Sequence, residues 1–272
     1  MTLLNNPIEI WQFLNQSNCR QCGETTCMAF AAAVVRGDRQ LEECPYLDRE
    51  TIERFGGQQQ SEERAPSSQE EIEESLLELK NEIFSMDLSS AVSRTGGSFD
   101  GKKLTLKVLG EDFHVDTQGN VYSRIHTNAW VTIPVLTYVL YAAGSSPQGN
   151  WVPFRDLKYG MSWSGLYEQR CIKPLKHIAD EHRELFVDLL ELFKGQKVVN
   201  ELQADISYVL HPLPKVPLLF CYWEAEEEFE SKFNIYFDKT IEDNLNMQSI
   251  FSLTTGLGSM FEALIKTHVP DS

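Results

Sequence analysis

A chain of 272 residues with a formal net charge of −16 and a pI near 4.8 is long enough to bury a sizeable core. That charge repels the phosphates of nucleic acid and of anionic membrane surfaces, so neither is expected as a partner. No apolar run reaches the roughly 18 residues of a membrane span and no charged-then-apolar leader precedes the first cysteine, so a cytoplasmic protein without membrane insertion is expected.

In chain order, Asn6-Pro7 reads as an N-cap and first helical residue. It opens a helix to about Gln16 with Ile10, Trp11 and Leu14 on its apolar face. Then come Cys19, Cys22, Cys27 and Cys44 in the order C-x2-C-x4-C-x16-C. Between the third and fourth cysteines the apolar run 28–36 predicts a short buried helix, with Gly37 placed to end it. Residues 56–69 are rich in Gln, Ser and Glu, the composition of a solvated linker. The expected division is a cluster-binding domain over 1–55, a linker over 56–69 and a larger domain over 70–272.

In the larger domain a helical pattern with Ile72, Leu76, Leu79 and Ile83 on one side runs to roughly Arg94. Residues 103–109, 111–116 and 120–125 alternate in polarity as a three-stranded meander. Helices are predicted over 128–143 and 167–193, with an irregular stretch over 144–165 between them. Strands are predicted over 204–210, 216–223 and 232–237, and a final amphipathic helix over 246–267 carries Ile250, Leu253, Leu257, Phe261 and Leu264. The fold class is therefore α+β: a small, mostly helical four-cysteine domain, then a mainly antiparallel sheet packed by helices. The glutamate-rich stretches 70–82 and 224–230 read as solvated surfaces.

Four thiolates are the ligand set of a cubane iron-sulfur cluster. The x2 gap lets one turn present Cys19 and Cys22 to neighbouring irons. Gly23 lets the backbone pass close with its amides toward the sulfides. Cys27 opens the apolar helix, where the positive end of the dipole favours thiolate. Cys44-Pro45 returns the fourth ligand, so cluster binding ties two segments together and couples to folding. A structural zinc site is the rival, although zinc ribbons pair two C-x2-C knuckles and this chain has one. A thioredoxin-type redox pair lacks its strand-to-helix context here. Cys171 and Cys221 lie alone in apolar surroundings, a distribution suited to a reducing compartment.

Residues 7–50 resemble the iron-sulfur domain at the N-terminus of the corrinoid iron-sulfur protein large subunit, a domain also found in the B subunit of Rnf-type electron-transfer complexes. Asn18-Cys19, Cys22-Gly23, Cys27, residues 29–31, Gly37 and Cys44-Pro45-Tyr46-Leu47 carry the likeness. It implies one [4Fe-4S] cluster on Cys19, Cys22, Cys27 and Cys44. Relatives carry an aromatic residue and a proline where this chain has Glu24-Thr25-Thr26, an acidic departure that bears on potential rather than ligation. The later region resembles domain-of-unknown-function family 3786 through Pro212 to Leu218, Tyr222-Trp223-Glu224, Glu227-Glu228-Phe229 and Phe237-Asp238. Nothing in it resembles the barrel or cobalamin-binding portions of the corrinoid protein.

No catalytic residue is assigned to the larger domain. His177, Glu181 and His182 read as a polar helix face lacking a third metal ligand. Cys171 and Cys221 read as buried thiols, and His126 and His211 have no partner legible in sequence. The stretch 145–163, with Trp151, Phe154, Arg155, Asp156, Tyr159 and Trp163, reads either as a core-packed loop or as the lining of a pocket or docking surface. The expected function is single-electron transfer to or from a protein redox partner in anaerobic, corrinoid or one-carbon metabolism. Two alternatives stay open: a structural or sensory cluster in a binding protein, and a cluster feeding an enzyme domain. Any small-molecule ligand of the larger domain is unknown at this stage.

Overall fold

The computed structural model describes residues 7–35, 39–49, 51–52, 68–199, 201–227 and 229–268. The chain divides into two compact units, Met1–Glu71 and Ile72–Ser272. Asn6, Gly37 and all but the last two residues of the expected linker lie outside the described residues.

In the first unit, helix α1 (Pro7–Phe13) and helix α2 (Cys27–Val35) flank an irregular loop. A 3-10 turn, Leu41–Glu43, then leads to Cys44. Helix α1 stops short of the predicted Gln16, because that residue takes a left-handed φ of 57° and turns its carboxamide back to the Trp11 carbonyl. The core is small: Ile10 and Leu14 meet Phe30, Ala31 and Val34 of α2, with Leu41, Cys44 and Leu47 closing over them.

The second unit is α+β. Helix α3 (Ser68–Ser85) buries Ile83 and does not continue to Arg94. The Asp87 carboxylate accepts the backbone N–H and hydroxyl of Ser89 and caps a new 3-10 turn, Leu88–Ala91, which leads into α4 (Val92–Thr95). Strands β1 (Ser98–Phe99), β2 (Lys103–Val108), β3 (Glu111–Asp116) and β4 (Val121–Ser123) form an antiparallel sheet in sequence order. The alternation of β2 and β3 buries Leu104, Leu106, Val108, Phe113 and Val115. Helix α5 (Ala129–Tyr141) is buried along most of its length.

Two sequence expectations fail after α5. The stretch 144–165 is not irregular throughout: it holds β5 (Trp151–Pro153), a 3-10 turn (Phe154–Asp156) and α6 (Gly160–Tyr167). The 167–193 helix is not continuous: α6 passes through a π turn (Glu168–Ile172) into α7 (Lys173–Glu181) and breaks at His182 before α8 (Arg183–Leu192). Pro174 lacks the N–H that the Arg170 carbonyl would take in a regular helix, and the wider hydrogen-bonding turn sits at that point.

A second antiparallel sheet, order β5-β9-β8-β7-β6, comprises β5, β6 (Gln196–Lys197), β7 (Ile206–Leu213), β8 (Val216–Trp223) and β9 (Lys232–Asp238). One face places Tyr208, Leu210, Leu218, Phe220, Ile235 and Phe237 in the main core. Helix α9 (Ile241–Asn244) and helix α10 (Met247–His268) complete the unit, with Ile250, Leu253, Leu257, Phe261 and Ile265 of α10 buried. Among the described residues no helix is long and apolar enough to cross a membrane.

Candidate metal centre

The loop between α1 and α2 is shaped by residues of unusual φ. Gln16, Asn18 and Arg20 all have positive φ, at 57°, 51° and 63°, and Gly23 follows at 84°. In this tightly turned loop the Asn18 N–H is directed at Cys27 Sγ, a contact suited to anionic sulfur. At Gly23 the φ of 84° is what disfavours a side chain, since a Cβ there would meet only the mobile end of Arg39.

Cys19, Cys22, Cys27 and Cys44 line one cavity, together with Leu14, Phe30 and Tyr46. All four are free thiols; the first three are partly exposed and Cys44 is buried. Burial pushes the Cys44 thiol up, the Tyr46 backbone N–H draws it back, and the neighbouring Cys22, Cys27 and Cys19 push it up again. Four thiolates that repel one another are stabilised as a set by a cationic centre among them. Among the described residues no three His, Cys, Asp or Glu side chains converge on a single ion position. A cluster does not require it, since each thiolate goes to its own iron.

The segments are locked from outside. Asn18 Oδ1 accepts the Cys27 N–H at 2.8 Å, while the Asn18 N–H reaches Cys27 Sγ at 3.4 Å. Thr26 caps α2 through its hydroxyl, which accepts the Ala29 N–H at 3.0 Å. Arg39 bridges Glu24 at 3.3 Å and Glu43 at 2.8 Å. Glu24, the acidic departure in the thiol loop, is thus ion-paired. The hydrogen bonds that Arg39 donates to Glu43 and then to Glu24 hold its guanidinium above its ordinary range. The Gln40 N–H leads the effects that keep Glu43 below its own. Sequence reasoning missed Arg39 and Glu43. The Gln40-x-x-Glu43 spacing is a capping-box signal that points to Glu43; nothing local links Arg39 to a glutamate fifteen residues earlier.

In the second unit the aromatic stretch divides. Phe154, Arg155 and Asp156 line a cavity of about 550 Å³, Trp163 packs edge-on against Phe251 at 5.1 Å, and Trp151 is a strand residue opposite Asp238. His177 and Glu181 are exposed on α7. His126 is exposed, and partial burial lowers the pKa of His211. Cys171 is fully buried, donates to the Thr254 carbonyl at 3.5 Å and has its thiol pushed up to about 12 by burial. Cys221 is equally buried, 3.9 Å from the Ser207 hydroxyl. Sequence reasoning also missed buried Asp238, which accepts the N–H groups of Gln148 and Gly149 and both the N–H and hydroxyl of Thr240.

A family model described as "Putative Fe-S cluster" matches residues 14–46, and one described as "Domain of unknown function (DUF3786)" matches residues 87–260. The chain belongs to the DUF3786 family. Its N-terminal region is 43% identical over 47 residues to the acetyl-CoA decarbonylase/synthase complex subunit gamma of Methanosarcina acetivorans, covering 17% of this chain and 10% of that protein. The subunit of that name from Methanopyrus kandleri is 36% identical over 50 residues, covering 18% and 11%. The corrinoid/iron-sulfur protein large subunit of Moorella thermoacetica is 42% identical over 40 residues, covering 15% and 9%. This DUF3786 chain therefore spans about a tenth of the length of the curated relatives it matches. No solved structure is a significant match.

Proposed function

We propose that this DUF3786 protein holds one [4Fe-4S] cluster on Cys19, Cys22, Cys27 and Cys44 and exchanges single electrons with a protein partner in the one-carbon metabolism of anaerobes. The larger unit docks that partner. The observation that carries the reading is the gathering of the four thiols around one cavity, with Asn18 and Tyr46 amides directed at sulfur. Hydrogen bonds to sulfur, burial and local charge tune a cluster's potential. The bound cluster would supply a one-electron couple; the chain's own residues position the thiols, neutralise Glu24 through Arg39 and limit water access through Phe30 and Tyr46. The relatives' names, a decarbonylase/synthase complex subunit and a corrinoid/iron-sulfur protein, support the metabolic setting.

The test is anaerobic purification of the full chain with iron and sulfide analysis, visible absorption and electron paramagnetic resonance before and after reduction. Four irons and four sulfides per chain, with a reversible one-electron signal lost in Cys→Ser variants at the four positions, are expected. Stoichiometric zinc without sulfide would overturn the cluster, and a cluster that cannot be reversibly reduced would overturn electron transfer.

A further inference from the structure

Helix α3 buries Ile83 and partly buries Leu76 and Leu79, one apolar stripe of the kind a surface helix turns inward. It carries a second apolar stripe in solvent. Leu77 is 60% exposed and Phe84 is 71% exposed, and their seven-residue spacing sets them two turns apart on one side of the helix. Apolar residues scattered singly on a surface need no explanation, whereas a leucine and a phenylalanine aligned along one exposed helix face mark a contact surface.

The charge on this helix is equally one-sided. Its 18 residues hold six glutamates and one lysine. Glu70, Glu74, Glu78 and Glu82 follow at four-residue intervals, so each carboxylate neighbours the next, a pattern that destabilises a helix. Glu74 and Glu78 are exposed, and no Lys or Arg stands three or four residues before or after either of them. Lys80 lies elsewhere around the helix, against the β3–β4 turn, where a Cβ at Gly119 would meet the Lys80 Cα at 2.8 Å. Glu82 stands in the last turn, where the helix dipole disfavours an anion, and its one printed donor is the Tyr141 hydroxyl of α5.

We propose that α3 docks a basic amphipathic helix of a partner protein, with its apolar residues on Leu77 and Phe84 and its lysines or arginines on Glu74 and Glu78. Such a partner answers both features at once, by covering the apolar stripe and by neutralising the carboxylate row. An uncharged apolar helix would leave the row unanswered, and a second copy of this chain would set two acidic rows against each other. Beside the row a groove of about 510 Å³ is lined by Glu82, Ser85, Met86, Leu140 and Tyr141. It takes the stem of a lysine or arginine on its apolar wall and leaves the charged head at Glu82. Anchors spaced along one face are how an amphipathic helix is read, and the net charge of −16 draws a cationic segment in from a distance. The inference rests on the docking role proposed above, and its test reads no cluster signal, so its failure leaves electron transfer standing.

The probe is a synthetic leucine–lysine peptide of about 18 residues with the leucines at helical spacing, titrated with the full chain in fluorescence anisotropy. One control peptide has the same composition in scrambled order, and the other carries glutamate for lysine. The ordered basic peptide is expected to bind at least about tenfold more tightly than either control. Leu77→Ser with Phe84→Ser should lose about tenfold, and Glu74→Gln with Glu78→Gln a similar factor at low salt that shrinks as salt rises. The glutamine variant relieves like-charge repulsion, so its urea midpoint should not fall and its weaker binding cannot come from unfolding. Amide exchange along α3 should slow in the complex. A scrambled peptide binding as tightly as the ordered one, full affinity in either variant, or protection confined to other elements would overturn the proposal. So would a free chain that sediments as a dimer dissolved by Phe84→Ser, which would give the face to a second copy.

Discussion

Asn18 performs two separable tasks in the thiol loop: it occupies a left-handed φ of 51°, and its carboxamide fixes the Cys27 N–H at 2.8 Å. Asn18→Gly keeps the first and removes the second. The bond is solvent-exposed, so its loss costs about 0.5–1 kcal/mol, the lower part of the usual range. Asn18→Ala removes both, and holding alanine in the left-handed region without the local side-chain hydrogen bonding that lets asparagine adopt it adds about 1 kcal/mol. At about 1.4 kcal/mol per tenfold, cluster retention should fall about two- to fivefold in the glycine variant and about ten- to thirtyfold in the alanine variant. The assay is anaerobic titration of reconstituted full-length protein with an iron chelator, reading the concentration that bleaches half of the visible absorption. The order wild type, Gly, Ala is expected. Equal retention by the alanine and glycine variants would refute the backbone part of the reasoning; wild-type retention by the glycine variant would refute the hydrogen-bond part.

Arg39→Met leaves Glu24 unpaired beside the thiols, so the reduction potential measured by anaerobic redox titration should fall, and adding Glu24→Gln should bring it back toward the wild-type value. Asp238→Asn presents four donors, the two of Thr240 buried, to a weaker acceptor and should destabilise the chain by about 2–4 kcal/mol, read by urea unfolding. Burial raises the Asp238 pKa, but bonds from Thr240, Gly149 and Gln148 outweigh it and hold the carboxyl below its ordinary range. Its contribution is therefore present above the unfolded pKa near ~3.9 and lost as pH falls through the lower folded value, so the gap between wild type and Asp238→Asn should close at acid pH. Removing iron should abolish the helical signal of α1 and α2 while the urea transition of the larger unit persists, as followed by circular dichroism.

The parts of this molecule legible in sequence are those fixed by neighbours along the chain. The cysteine spacing, Gly23 and the apolar run after Cys27 are local, and they foretold both the thiol loop and α2. Strand β8 matches its prediction at both ends because a buried run of apolar residues bounded by turn residues has few other uses. What was missed depends on distant partners. Strand β5 is three residues long and is a strand only because β9 lies beside it. The break in the 167–193 helix was signalled by Pro174, but a π turn and the bend at His182 answer to packing against α10 that periodicity does not register. Arg39 and Asp238 act on groups that only folding brings near.

On the proposed reading, the two units divide a task that neither would do well alone. Three of the four cysteines are partly exposed, so a reduced cluster would lie near the surface, and an electron could pass in a brief encounter without a large interface. Brief encounters at an acidic surface are poorly selective, because net charge sets approach rather than register. A docking site on the covalently linked larger unit turns the electron-transfer encounter into an intramolecular one at raised effective concentration. Selectivity then belongs to the larger unit, and potential to Asn18, Glu24 and Arg39. An Arg39 variant should therefore alter the potential while leaving affinity for the partner unchanged.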